Sequence, residues 1–578
     1  CKRVTASILR RILAVFLYKF FELKLLLVGH TGILGDMVMN KFVKNSVLMS
    51  ATLVMVAGTG LPVVSASEGK AINWTLTGDL KTTDPSNVAD IPSQDAVMAT
   101  GEGLYRVGKS GQPELAAAQS AEVSQDGLTW TFKLCDNLKW SDGSKLTAQD
   151  FVYSWQRTND PKTAAIGAMF FSGVKNADAI QAGKVTDLNE LGAKALDDTT
   201  LQVTLERPLP QFKAELAMMY FFPEKQSFVE QTGQKFGTTA VDSLSSGPYV
   251  LKKWDGSSSS YTYEKNPNYW DAANVKTPAV NVTTTADATT SFNLYNSGKT
   301  DFALLNATQA RNSKNKPGYT VVDTAATTYM TMNQKNKALQ NVKVRQALSF
   351  AVNREKLAKN VLTGAAEPAK TFTAKGLAKD PNTGKDFTVG AHTKYVSYDK
   401  AQAAKLWQQG LKQVGQKQVK LTLLTNDTDA AKQTGQYLQS QLETNLKGLT
   451  VSVKSVPAKQ TSSLQKAGKF DLSLATWNAD YTDPVDMLQT LVTGASWNLT
   501  GWSDKKYDAL YEKATTTDAN DEKARFKDLA AAEEYAQKQG AVAPLTYSKM
   551  TALMNPKVKG VFVNPVGGTF DWKNAVKN

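Results

Sequence analysis

Two large aromatics and two acids fall close together near the C-terminal end: Trp477, Asp480, Tyr481 and Asp483, in the run ATWNADYTDP at 475–484. A carboxylate set between rings, directly after an apolar run, can serve in two ways. It can cap a turn that Pro484 stops, with the aromatics as ordinary core. Or it can hold a cation in a pocket, because an ionised carboxylate accepts charge-assisted hydrogen bonds that are stronger than neutral ones.

Other chemistry is thinly represented. The chain has two cysteines, Cys1 and Cys135, and two histidines, His30 and His392. Beyond the N-terminal region one of each remains, which excludes an intramolecular disulfide, a thiolate metal cluster and a multi-histidine zinc site. His392 lies in a Gly/Thr/Lys-rich stretch and reads as a solvated loop residue. Gly298-Lys299-Thr300 matches the tail of a phosphate-binding loop, but Asn293 stands where its first glycine is required, so the segment reads as a turn. Ser245-Ser246-Gly247-Pro248 has no nucleophile-elbow pattern. The Asp197-Asp198 pair reads as turn acids. These counts point away from an enzyme and imply no cofactor.

The N-terminal region reads as an export signal. From Met39 to Ser67 the chain has Lys41 and Lys44, an apolar core from Val47 to about Leu61, and small residues before Ser67. The expectation is a signal peptide over 39–66, with residues 1–38 as translated upstream sequence. Val56-Ala57-Gly58-Thr59 is similar to a lipoprotein box in which Thr59 replaces the cysteine that would carry lipid. The expected product is therefore an exported protein of the cell envelope or cell wall without its own lipid anchor. The whole chain of 578 residues carries 67 Lys plus Arg and 53 Asp plus Glu. Residues 1–66 hold eight basic and two acidic side chains, which leaves 59 against 51 in the remainder, a net charge near +8. The excess is scattered lysine, which suits an anionic cell wall rather than the concentrated stripe of a nucleic-acid binder.

The elements that must position the 475–484 run follow from periodicity. Residues 71–77 predict a first strand. LTWTFKL at 128–134 alternates, with Trp130, Phe132 and Leu134 on one face. Thr147 and Asp150 predict a capping box, and Phe151 and Trp155 share one side of the following helix. LQVTL at 201–205 is a further strand. From about 340 the pattern changes to helix and strand in alternation. The spacing predicts helices around 342–355, 399–412 and 437–446, a short helix near 462, and strands at 417–424, 449–453 and 470–475. Alternation of this kind implies an α/β domain, with ATWNADYTDP where a strand meets its loop.

Several long segments, in order, resemble the extracellular oligopeptide-binding proteins of peptide ABC transporters, solute-binding protein family 5. They are LKWSDGSKLTAQDFVYSWQRTNDPKTA (138–164), LGAKALDDTTLQVTLERPLPQF (191–212), SSGPYVLKKW (245–254), NPNYW (266–270) and NVKVRQALSFAVNRE (341–355). The resemblance implies an α/β fold of the periplasmic-binding-protein type II, with two lobes around a hinged cleft and an extra small domain. Domain I would comprise 67–114, 241–333 and 549–578, domain II 115–240, and domain III 334–548. It further implies a non-enzymatic, monomeric receptor that binds extracellular oligopeptides with low sequence selectivity and delivers them to a membrane ABC permease.

By the same resemblance Asp480 pairs with the α-ammonium of the peptide and Trp477 packs on a ligand side chain. Glu102, Gly103 and Leu104 form one backbone wall of the cleft, and Ser246, Gly247 and Pro248 the other. Two positions depart from the family pattern: Leu474 and Cys135 each stand where arginine is usual. Leu474 removes a cation that could meet a peptide C-terminus, so longer or apolar peptides are the expected ligands. Cys135 is expected in an inter-strand or surface contact. A selective receptor for a signalling peptide is the alternative, followed by an exported hydrolase or a surface adhesin.

Overall fold

The computed structural model describes residues 69–108 and 111–578. The readings of residues 1–38, of the 39–66 signal peptide and of Thr59 lie outside the described residues. The observed fold is α/β. A seven-stranded mixed sheet is ordered Phe302–Leu304, Val542–Met554, Tyr319–Met332, Leu472–Asn478, Val419–Asn426, Leu449–Val456, with Ala366–Pro368 also paired to Val542–Met554. The last three strands of that order run parallel to one another, and the others pair antiparallel. Helices Asp429–Asn445 and Ala458–Lys466 make the crossovers between the parallel strands.

Two four-stranded sheets accompany it. One is antiparallel throughout, ordered Ala118–Val123, Thr129–Leu134, Thr200–Thr204, Ala193–Asp197. In Thr129–Leu134 the buried positions are Trp130, Phe132 and Leu134, as the alternation requires. The helix Ala148–Asn159 covers this sheet, opened by the Thr147–Asp150 capping box, and buries Phe151 and Trp155. The other sheet is ordered Ile72–Thr77, Ala279–Thr285, Ser260–Lys265, Tyr249–Lys252. Its core is aromatic. Trp74 stacks on Phe302 at 4.1 Å and meets Phe570 and Trp572 edge-on at 5.0 and 5.7 Å. The last residues of the chain thereby seal the packing of the first strand.

Several helices run where periodicity places them. Val342–Phe350, Lys400–Val414 and Asp429–Asn445 bury their apolar stripes, and Gly448 turns the chain with φ +88. His392 is exposed, and Cys135, just past the strand Thr129–Leu134, donates from Sγ to the Ala116 carbonyl at 3.4 Å. Two features have no periodic signature. Tyr319–Met332 and Val542–Met554 form one long pair whose register breaks between Asp323 and Thr327. On one side of that break Met330 and Ala543 join the core of the alternating helix-strand region. On the other, Ala552 joins the aromatic core around Trp74. Second, Arg345 lies inside the amphipathic helix yet is buried. Its guanidinium donates to the carbonyls of Leu339, Gln340, Gln539 and Gly540, which replaces the water it has lost.

Trp572 is 1% exposed and contacts Trp74, Tyr263 and Phe570. Trp572→Ala is expected to lower stability by about 3–5 kcal/mol, read as a fall in the urea midpoint at unchanged slope. A loss under 1 kcal/mol would show that the C-terminal segment does not seal this core.

Candidate functional site

The strand Leu472–Asn478 extends further than its apolar run, so Trp477 sits in the sheet, opposite Thr327. The loop begins at Ala479, whose N–H donates to the Ala325 carbonyl at 2.8 Å. Asp480 therefore leaves the sheet edge at a fixed point. Tyr481 is buried and packs with the core that contains Phe132, Trp155 and Tyr220. The loop is pinned at both ends, by a strand of one core and by a ring in another.

The turn before Pro484 is capped, but not by Asp480. Asp483 accepts from the Val485 N–H at 2.9 Å and pairs with Arg525 at 2.8 Å. The Asp480 carboxylate takes no hydrogen bond from any described residue. Burial alone pushes it up to about 6, so it is an anion at neutral pH with no protein cation bound to it.

Asp486, on the short helix Val485–Leu488, is the residue that sequence reasoning missed. It is 0% exposed. Its Oδ2 accepts from Trp477 Nε1 at 2.9 Å and from the Asp480 N–H at 3.3 Å, while its Oδ1 is buried without a partner. Burial, then the neighbouring Asp480 charge, hold Asp486 well above the usual carboxylate range. The two acids thus differ in role. Asp486 stays protonated and orients the indole and the backbone, and Asp480 carries the charge. Asp486 could have been suspected only as a third acid in the same short segment.

Trp477 meets Trp497 edge-to-face at 5.4 Å, and both rings line two adjoining cavities. The first, of about 610 Å³, is bounded by Asp480, Tyr220, Arg207 and Glu215. The second, of about 480 Å³, is bounded by Leu474, Tyr329 and Leu499. An acid lining one chamber, an indole pair between two chambers and a second chamber of uncharged side chains form a cleft suited to an extended cationic-ended ligand.

The other expected site residues form a separate joint. The Glu102 N–H donates to Ser246 Oγ at 3.0 Å, and its carboxylate accepts from Arg106 at 3.3 Å and from the Tyr269 hydroxyl. The Gly103 carbonyl accepts from the Ala117 N–H, and that of Leu104 from the Ala116 N–H. The Ser246 and Gly247 N–H groups both donate to the Thr100 carbonyl, and Pro248 follows with its carbonyl held by the Asn266 N–H. The structure brings these two segments against each other. None of the six residues lines either large cavity.

Two outcomes follow from this geometry. A Cβ on Gly247 would lie 2.3 Å from the Gly101 carbonyl oxygen, backbone against backbone, so Gly247→Ala should cost about 1–3 kcal/mol in chemical denaturation. An unchanged midpoint would refute the close approach. Asp480→Asn should raise the stability of the ligand-free protein. The folded-state value of Asp480 lies above the ordinary 3.8, so its contribution is full below that value and lost as pH rises through about 6. The variant should gain up to about 3 kcal/mol at pH 8, with the gain vanishing towards pH 4. A gain that grows on acidification would contradict the assignment.

Residues 112–498 match the family described as bacterial extracellular solute-binding proteins, family 5 Middle. The chain is 38% identical to the dipeptide-binding protein of Lactococcus lactis subsp. cremoris, over 88% of this chain and 94% of that one. Among solved structures, it is similar to OppA of Listeria monocytogenes bound to peptide, at 33% identity and a TM-score of 0.74, covering 89% of this chain and 99% of that one. It is also similar to the substrate-binding domain of an oligopeptide ABC transporter from Bacillus anthracis, at 35% identity and a TM-score of 0.73, covering 88% and 98%. With the match spanning most of the chain and the fold agreeing, this protein belongs to the bacterial extracellular solute-binding proteins of family 5.

Proposed function

We propose that this protein captures extracellular oligopeptides and hands them to a membrane ABC permease, with the Asp480 carboxylate as the anchor for the peptide α-ammonium. One observation carries the anchor: Asp480 is desolvated enough to be pushed up to about 6 and yet has no partner among the described residues. Keeping a carboxylate half-buried and unpaired opposes folding, so the arrangement makes sense if a ligand cation completes it. Every free peptide has such a cation, whatever its sequence. Trp477 and Trp497 supply apolar faces beside the anchor, and the relatives named above are described as binding dipeptides or as bound to peptide.

The remaining roles are proposals of the same kind. Glu102–Leu104 and Ser246–Pro248, which line neither large cavity, serve as a rigid backbone joint beside the cleft, and domains I, II and III divide as 67–114 with 241–333 and 549–578, 115–240, and 334–548. Main-chain hydrogen bonding supplies affinity without reading side chains. Leu474 lines the second cavity, which favours apolar side chains and longer peptides over a fixed carboxylate at that end.

The test is native mass spectrometry of the purified protein beside Asp480→Ala, followed by calorimetry with Ala-Ala-Ala and its N-acetyl form. A ladder of bound peptides on the parent is expected, with affinity lower by about 2–5 kcal/mol in the variant and for the acetylated peptide. Affinity for the unmodified peptide should fall about tenfold per pH unit below pH 6, where Asp480 takes up a proton. Equal binding of both peptides would eliminate the anchor. A single bound mass would replace the broad receptor by a selective one.

A further inference from the structure

The cavity beside Asp480 is electrically asymmetric in a way the ammonium anchor leaves unused. Its titratable lining consists of Asp480, Glu215, Arg207 and the tyrosines Tyr220, Tyr481 and Tyr511. All three phenols are pushed up by burial and stay neutral. Glu215 is buried, with its Oε1 accepting from Gln211 at 3.2 Å and its Oε2 buried without a partner. Burial pushes it up to about 8, so it too is neutral at pH 7. The charged groups of the lining are then one anion, Asp480, and one cation, Arg207.

Arg207 is unusual among the arginines of the fold. Of the seven in the described residues, Arg106, Arg157 and Arg525 are ion-paired and Arg345 and Arg354 are buried on carbonyl oxygens. Arg207 makes no hydrogen bond or ion pair with any described residue. Arg311 shares that property but lines neither cavity. Arg207 is exposed to the cavity space, on the segment that leads from the strand Thr200–Thr204 to the helix Phe212–Glu215. It lies on a different segment from the strand that carries Trp477, and it lines the same open cavity as Asp480.

A planar guanidinium with five donors and no acceptor is suited to a carboxylate, which it can grip in a bidentate pair. An anion and a cation on one cavity of about 610 Å³, neither paired within the protein, match a ligand that carries both charges. We propose that Arg207 is a specificity-determining residue that pairs with a carboxylate of the ligand whose ammonium Asp480 binds. The inference rests on the peptide reading of the Asp480 site. The carboxylate has two sources of the same chemistry: an acidic side chain in the first residue of a peptide, or the terminal carboxylate of a dipeptide. Leu474 and the second cavity are untouched by this pairing, so longer peptides with an acidic first residue fit both chambers.

The experiment is calorimetry at pH 7.5 on the full chain and on Arg207→Gln, with Glu-Ala-Ala-NH2, Gln-Ala-Ala-NH2, Ala-Ala and Ala-Ala-NH2. The parent should bind Glu-Ala-Ala-NH2 about tenfold tighter than its Gln partner if the side chain is the source. It should bind Ala-Ala about tenfold tighter than the amide if the terminus is the source. In either case Arg207→Gln should abolish the ratio by weakening the carboxylate-bearing peptide. The inference is overturned if neither ratio exceeds twofold in the parent, or if a ratio survives in the variant. Peptide binding that Asp480→Ala abolishes, without any carboxylate preference, overturns this inference alone. Failure of the parent to bind any of the four peptides overturns the peptide reading with it.

Discussion

An ionised carboxylate held partly out of water, with no cation beside it, opposes folding. Asp480 is such a group, and the rest of the cleft is arranged so that it stays one. The strand Leu472–Asn478 brings the chain to the sheet edge, Tyr481 locks the following residues into a second core, and Asp483 takes over the turn contacts that Asp480 would otherwise make. Both ends of the loop are held, and Arg525 is already paired with Asp483. On the proposed reading a ligand cation offsets this desolvation, which makes stability and binding two aspects of one interaction.

Asp486 shows how a second acid can serve the first without competing for the ligand. A protonated carboxyl is a neutral hydrogen-bonding group, and burial beside another carboxylate is what keeps it protonated. It fixes the Trp477 indole and the Asp480 backbone through one oxygen. The two tryptophans line both a chamber that carries charged groups and one lined by uncharged side chains. On the proposed reading this division serves sequence-tolerant capture: a strong contact to the group all peptides share, and roomy walls for those that differ.

Much of the scaffold was legible because it follows local rules. The alternation of 128–134, the Thr147–Asp150 box and the stripes of Val342–Phe350 and Asp429–Asn445 are each written in a short window of residues. The long pair Tyr319–Met332 with Val542–Met554 was not legible. Its strands lie over two hundred residues apart and cross from one core to another, so neither shows a single buried face. Buried Arg345 was hidden for a related reason: its partners are backbone carbonyls from distant turns, and carbonyls have no residue-type signal.

The site divides along the same line. The amino-acid sequence by itself determined the α/β class, the poverty of catalytic and metal-binding side chains and the family, and it offered Trp477 and Asp480 as candidates, because these depend on residue type and near-neighbour spacing. Tertiary structure decided which acid caps the turn, which is neutral and which is charged, since protonation is set by desolvation and by groups from other segments. It also decided that Glu102–Leu104 and Ser246–Pro248 meet each other at a hydrogen-bonded joint, and that Arg207 shares a cavity with Asp480 across 273 positions of chain. Proximity between distant segments follows from how the cores pack, and no local pattern encodes it.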